Sequence, residues 1–175
     1  MGSRSKIILR QAQYNPERCR RTDLAYIAGF LDGDGSLMLQ LKKRVDTKRK
    51  VRFMATICLY QDTRHDKNLY WIQNVLGIGY VSRRNDGISE LRINGFGKVG
   101  EILLLLKPYV RFKKVQTKAL LRACEILSSE RGLNKLSSKQ LKELVGLVLV
   151  IQNENYKSSR KKTKKELYRL LGLTP

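Results

Sequence analysis

The sequence predicts an α+β domain, a four-stranded antiparallel sheet backed by helices, in the order α-β-β-α-β-β-α-α-α. Three observations point there. Apolar positions change from a helical period to two-residue alternation just after Gly35. A second alternating pair lies near 79–84 and 89–94, joined through the turn signal Asn85-Asp86-Gly87. From Val99 onward the apolar residues return to helical spacing. The chain has 175 residues and 42% hydrophobic content, enough for one domain with its own core.

Residues 1–22 form a basic arm, extended by Pro16 and the arginine-rich 18–21 stretch. The domain proper spans 23–153 and opens with a helix. Two strands follow. Leu37, Leu39 and Leu41 alternate with Met38, Gln40 and Lys42, and Val51 to Leu59 alternate with Arg52 to Tyr60. The basic Arg44–Lys50 connection is a hairpin loop. A helix over 64–76 carries Leu69, Ile72, Val75 and Leu76 on one side, with Tyr70 and Trp71 read as core. After the second hairpin, Val99, Ile102, Leu103 and Leu106 mark a helix that Pro108 ends, and 119–127 marks another. Ser137 and Ser138 begin a helix reaching about 153. Residues 154–175 are a basic tail, with six Lys and Arg crowded into 157–165, either contacting phosphates or solubilising the chain.

The opening helix holds the most informative stretch. Ala25, Ala28 and Gly29 give it a nearly bare face against which another backbone can pack. It must stop at Gly33 and Gly35, with Asp34 held between them. A helix C-terminus carries partial negative charge, so a carboxylate there is unfavourable unless a cation joins it. Asp34 is therefore read as a metal ligand, the plain alternative being an acid that merely ends the helix.

Charge narrows the partner. Thirty-six Lys and Arg against fifteen Asp and Glu give +21, which favours a polyanion and first of all nucleic acid. A structural RNA-binding protein shares that balance, so charge alone does not establish catalysis. No apolar run approaches the roughly 18 residues of a membrane span, and no secretory leader is legible. Cys19, Cys58 and Cys124 are odd in number and far apart, as reduced thiols of an intracellular protein are. Opposite the leucines, one sheet face collects Gln40, Lys42, Arg44, Arg52, Thr56, Ser82, Arg84, Glu90 and Arg92. A strand ribbon fits the major groove, where such side chains read base edges. A solvated sheet face is the plainer alternative, and the +21 charge together with the acidic helix end tips the reading toward a nucleic-acid face.

Ile27-Ala28-Gly29-Phe30-Leu31-Asp32-Gly33-Asp34-Gly35 resembles the defining motif of the LAGLIDADG homing endonucleases, and the αββαββα order that follows is also that of the family. The resemblance covers about 22–153. It implies a saddle-shaped DNA-binding sheet and site-specific cleavage of double-stranded DNA at an intron or intein insertion site. Mg²⁺ is the implied cofactor, with Mn²⁺ substituting and Ca²⁺ binding without efficient cleavage. Asp34 and the Gly33 carbonyl would hold metal, and hydrolysis would leave 5′-phosphates and short 3′ overhangs. By position, Gln61 matches a residue that orients water and Lys113 a catalytic-pocket lysine, unless Lys113 is only a phosphate contact. His65 stands where relatives often carry Arg, so Arg64 or Lys67 are candidates for that charge. Asp32 matches the motif's first acid, which supports the helix and turn.

A second motif is absent from 95–175. Single-motif members form homodimers, so two motif helices would cross through Ala25, Ala28 and Gly29 and read a pseudo-palindromic site. Two other roles use this scaffold: an RNA maturase, which would add RNA as a partner, and a non-catalytic DNA-binding regulator. The family occurs in organelles and in prokaryotic cytoplasm, and the sequence does not choose between them.

Overall fold

The computed structural model describes residues 19–44, 50–129, 133–155 and 161–174. Most of the expected arm, the centre of the Arg44–Lys50 loop and part of the basic tail lie outside them. Helix α1 (Arg21–Asp34) leads directly into β1 (Gly35–Lys43), which pairs antiparallel with β2 (Val51–Asp62). A 3-10 turn (Thr63–His65) and α2 (Lys67–Leu76) lead to β3 (Tyr80–Arg83) and β4 (Ile88–Asn94). Helices α3 (Phe96–Leu106), α4 (Lys114–Ser129), α5 (Ser138–Glu154) and α6 (Lys164–Leu171) complete the chain. The sheet order is β1-β2-β4-β3 with every pair antiparallel, as expected.

Alternation decides which sheet face is covered. Leu37, Leu39, Leu41, Phe53, Ala55, Ile57, Leu59, Leu91 and Ile93 are all buried on the helix side. Helices α1, α3, α4 and α5 close over that face. α1 contributes Leu24, Ile27, Ala28 and Leu31, and α5 contributes Leu141, Leu144, Val145, Val148 and Ile151. Burying one such Leu or Ile is worth about 1.5–3 kcal/mol, so this layer dominates the stability. At its start, α5 has the expected cap: Ser137 accepts from the Gln140 N–H while Gln140 reaches back to Ser137. At its end, Asn155 Nδ2 donates to the Leu37 carbonyl of β1 at 3.0 Å.

Two expectations change. The basic tail contains a further helix, α6, whose Leu167, Tyr168 and Leu171 are buried against α5. Its stripe at i, i+1 and i+4 is amphipathic, and the lysine crowding around it masks that pattern. Tyr70 and Trp71 are not core. The buried stripe of α2 is Leu69, Ile72 and Leu76, so positions 70 and 71 project outward. Trp71 instead meets the exposed Tyr26 of α1 edge-on, with ring centroids 5.5 Å apart.

The α1–β1 junction is the tightest point near the motif. A Cβ at Gly35 would lie 2.6 Å from the Leu31 carbonyl oxygen and 2.5 Å from its Cδ1. Gly35 has φ −105°, open to any residue, so the glycine is required for space and not for its dihedral freedom. Gly35→Ala is expected to lower the unfolding free energy by about 1–3 kcal/mol, read as a shifted urea midpoint. An unchanged midpoint would show that helix and strand part freely there.

Candidate active site and nucleic-acid face

Asp34 is the last residue of α1 and is exposed, as is Gly33 before it. Both line an open cleft of about 890 Å³ together with Lys113, Gln40, Lys42 and Tyr60. The sequence-predicted acid and lysine are thus brought together from positions far apart in the chain. Lys113 precedes α4, and its Nζ donates to the Asp32 carbonyl at 2.5 Å. Burial pushes the Lys113 ammonium below its ordinary pKa, against the opposing pull of the Asp32 and Asp34 charges.

Asp32 points the other way. It is 9% exposed, and its carboxylate accepts the backbone N–H groups of Arg111 (2.6 Å), Phe112 (3.1 Å) and Lys113 (2.9 Å). Those bonds engage both carboxylate oxygens in holding the 111–113 backbone. They span about eighty residues of sequence, so no local pattern announces them. Gln116, one turn into α4, also lines the cleft and carries a buried Oε1 without a hydrogen-bond partner.

Gln61 and His65 lie outside the residues that line this cleft. The register pairs Gly35 with Leu59, so Gln61 sits two residues, about 7 Å of strand, past the α1–β1 junction. Its Oε1 accepts the Asp62 N–H at 2.8 Å. His65 is exposed at the end of the 3-10 turn. Arg64 is held by Asp62 through bonds of 3.0 and 2.9 Å, while Lys67 is exposed nearby.

Ala25 and Gly29 form an exposed strip of α1, and a Cβ added at Gly29 or Gly33 would meet nothing of this chain within 4 Å. Ala28 differs from the expectation. It is 0% exposed because it faces the sheet with Ile27 and Leu31, so a partner helix cannot reach it.

On the outer sheet face, register brings Lys42 opposite Arg52 and Gln40 opposite Met54, with all but Met54 exposed. Arg44 and Arg84 are also exposed, Arg84 pairing with Asp86 at 2.6 Å. Ser82 and Arg92 are half-buried. Thr56 and Glu90 are drawn inward. The Thr56 hydroxyl donates to Asn94 Oδ1 at 2.8 Å, and Glu90 binds Arg92 at 2.8 Å while accepting from the Cys58 thiol at 3.5 Å. Crowding at the centre of the sheet explains both, since Thr56, Cys58 and Tyr60 pair directly with Asn94, Arg92 and Glu90. The face is therefore graded, with open basic groups toward β1 and a satisfied polar cluster between β2 and β4. Cys58, Tyr60 and Asn94 belong to it by strand parity, a signal the sequence does carry. Among the described residues, no group of three or more His, Cys, Asp or Glu is placed to hold a metal; the exposed acids lining the cleft are Asp34 and, at the end of α5, Glu154.

Residues 27–127 match the LAGLIDADG endonuclease family model. The chain belongs to the LAGLIDADG endonuclease family. DNA endonuclease I-CvuI of Chlorella vulgaris is 33% identical over 125 residues, covering 71% of this chain and 78% of that protein. DNA endonuclease I-CreI of Chlamydomonas reinhardtii is 31% identical over 108 residues, covering 62% and 66%. A crystal structure of I-CvuI on an I-CreI target with Mg superposes at TM-score 0.79 and 27% identity, over 92% of this chain and all of that one. I-CvuI has also been solved on a target with Ca. The archaeal I-Vdi141I, complexed with DNA, shares the fold at TM-score 0.74 and 22% identity, over 86% and 95% of the two chains. Among the described residues, no helix is long and apolar enough to cross a membrane.

The corner carrying Gln61 and His65 is tied down by Asp66, whose carboxylate takes Arg83 at 2.9 Å and the Ser89 hydroxyl at 3.1 Å. The Arg83 bond, with help from Ser89, holds its pKa below the ordinary carboxylate value. A depressed folded pKa gives stability that is present above the unfolded pKa and lost as pH falls through the folded one. Unfolding free energy is thus expected to fall on acidification below about pH 4, and Asp66→Asn to flatten that fall in urea titrations. Parallel profiles for wild type and variant would contradict the assignment.

Proposed function

We propose that the chain is a homodimeric, divalent-metal-dependent endonuclease that cuts both strands of a long pseudo-palindromic duplex, leaving 5′-phosphates and short 3′ overhangs. The observation that carries this reading is the half-built site. An open acid, Asp34, lines the cleft with Lys113 at the end of a helix whose small-residue strip has nothing among the described residues packed against it at Gly29. Glycine inside a helix costs about 1 kcal/mol relative to alanine, and Gly29 recovers none of it within the chain. A second copy packed on Ala25 and Gly29 would set two Asp34 carboxylates side by side.

The donors fit a hard cation: a carboxylate and the Gly33 carbonyl, all oxygen. Bound there, Mg²⁺ or Mn²⁺ would supply an activated water and neutralise charge on the departing oxygen, whereas Ca²⁺ would bind without efficient cleavage. The rest falls to the chain's own groups. The Lys113 ammonium faces the cleft and offsets charge that builds on the phosphate. Gln61, with its Oε1 already accepting the Asp62 N–H, has both amide N–H groups to direct at a water. His65 and Lys67 supply basic groups at that corner, since Arg64 is engaged by Asp62. Gln40, Lys42, Arg44, Arg52, Ser82, Arg84 and Arg92 face the duplex, and Thr56 and Glu90 hold their neighbours in place. Three buried free thiols, Cys19, Cys58 and Cys124, suit a reducing intracellular compartment, an organelle or prokaryotic cytoplasm.

A duplex recovered by cleavage selection from a randomised plasmid library serves as substrate. Asp34→Asn is expected to bind it with near wild-type affinity in Ca²⁺ and to cut it at least about a thousandfold more slowly in Mg²⁺. Undiminished cutting would refute the metal assignment. Gly29→Leu is expected to sediment as a monomer with an unchanged far-ultraviolet spectrum. Lys42→Ala is expected to lower the slope of log affinity against log salt by about one, whereas Thr56→Val leaves it unchanged.

A further inference from the structure

We infer that Asp32 is a positioning residue for Lys113, acting on it from both ends of one peptide unit; this rests on the endonuclease reading above. Its carboxylate receives three consecutive backbone N–H groups, those of Arg111, Phe112 and Lys113, and so fixes the backbone from which the lysine side chain springs. Its main-chain carbonyl receives the ammonium at the other end of that side chain. Both ends of Lys113 are therefore held by a single residue, two positions before Asp34.

The arrangement is favourable for reasons independent of catalysis. The carboxylate lies where α4 begins, and a helix N-terminus stabilises negative charge. The ammonium lies where α1 ends, and a helix C-terminus stabilises positive charge. The two helix ends meet there: Asp32 binds the three amides just before α4, and the Lys113 ammonium takes one of the terminal carbonyls of α1, that of Asp32. Hydrogen bonds to an ionised acceptor are about twice as strong as neutral ones, so the turn at 111–113 is held firmly. An asparagine in place of Asp32 keeps the size but sets an NH₂ group against backbone donors, so at least one bond is lost. Lys113 would then start from a turn free to shift, and displacement of a catalytic group by about 1 Å can cost a hundredfold in rate.

A double-mutant cycle tests this, with single-turnover cleavage of the selected duplex at saturating protein and Mg²⁺, and DNA affinity measured separately in Ca²⁺. Lys113→Ala is expected to slow cleavage, and Asp32→Asn to slow it between about ten- and a hundredfold with affinity changed by less than about threefold. In the Lys113→Ala background, Asp32→Asn is expected to add no further loss beyond about threefold. Equal losses in both backgrounds would show that Asp32 supports the fold generally, and would overturn the inference. So would wild-type cleavage by Asp32→Asn. Where that variant does not fold, Asp32→Glu, which keeps the charge and pushes the carboxylate one methylene past the three amides, takes its place in the cycle with the same expected pattern. Hydrogen exchange on the wild-type protein reads the clamp without any substitution. The amides of 111–113 are expected to exchange slowly although they precede the helix, and fast exchange there would overturn it. Absence of cleavage by the wild type itself would instead strike the endonuclease reading, and leaves the exchange experiment to decide whether the clamp exists.

Discussion

Helix α1 becomes strand β1 without an intervening residue, and that constraint governs the position of Asp34. Ile27, Ala28 and Leu31 anchor the helix in the core, Leu37 and Leu39 anchor the strand, and Gly35 lets the two approach to a distance no side chain would allow. Asp34, caught between them, has little freedom of backbone. The metal role proposed for Asp34 suits such a junction better than a loop, because the core absorbs the entropy cost once, during folding. The same packing turns Ala25 and Gly29 outward, so the acid and the bare strip are set by one helical rotation.

Charge is arranged on a different principle. The net +21 is not spread evenly over the sheet. Near β1 it is exposed, on Lys42 and Arg52, whereas between β2 and β4 Glu90 holds Arg92 and Thr56 holds Asn94. Open lysines and arginines act over a Debye length and draw a polyanion in from solution. Paired groups act only at contact, with fixed geometry, which is what discrimination between bases requires. Exposed basic groups and geometrically fixed polar pairs thus occupy neighbouring strips of one surface.

Much of this is legible in the chain itself. Alternation after Gly35, the Asn-Asp-Gly turn and the serines before α5 each encode a local structure, and each appears where the pattern puts it. The Asp-Gly end of α1 likewise announces an exposed acid. What stays hidden depends on contacts between distant segments. Asp32 and Asp34 look alike in sequence, yet one faces three amides from residues 111–113 and the other faces solvent. Ala28 looks like Ala25, and only the direction of the core separates them. Tyr70 and Trp71 are aromatic enough to suggest a core, but the heptad-like spacing of Leu69, Ile72 and Leu76 had already claimed the inner side of α2. Composition masks α6 in the same way, because six basic residues conceal a stripe of three apolar ones.

The bond from Asn155 to the Leu37 carbonyl bears on how the protein survives at working concentration. β1 is an outer strand of the sheet, nine residues long, and an edge strand of that length can recruit another along its unpaired backbone. An amide from the end of α5 occupies one of those carbonyls, α4 and α5 pack over the strand, and Lys42 and Lys43 stand at its far end. The opposite edge, β3, has only four residues and carries Arg83. Both borders thus carry features that oppose sheet growth, the usual route by which such strands aggregate.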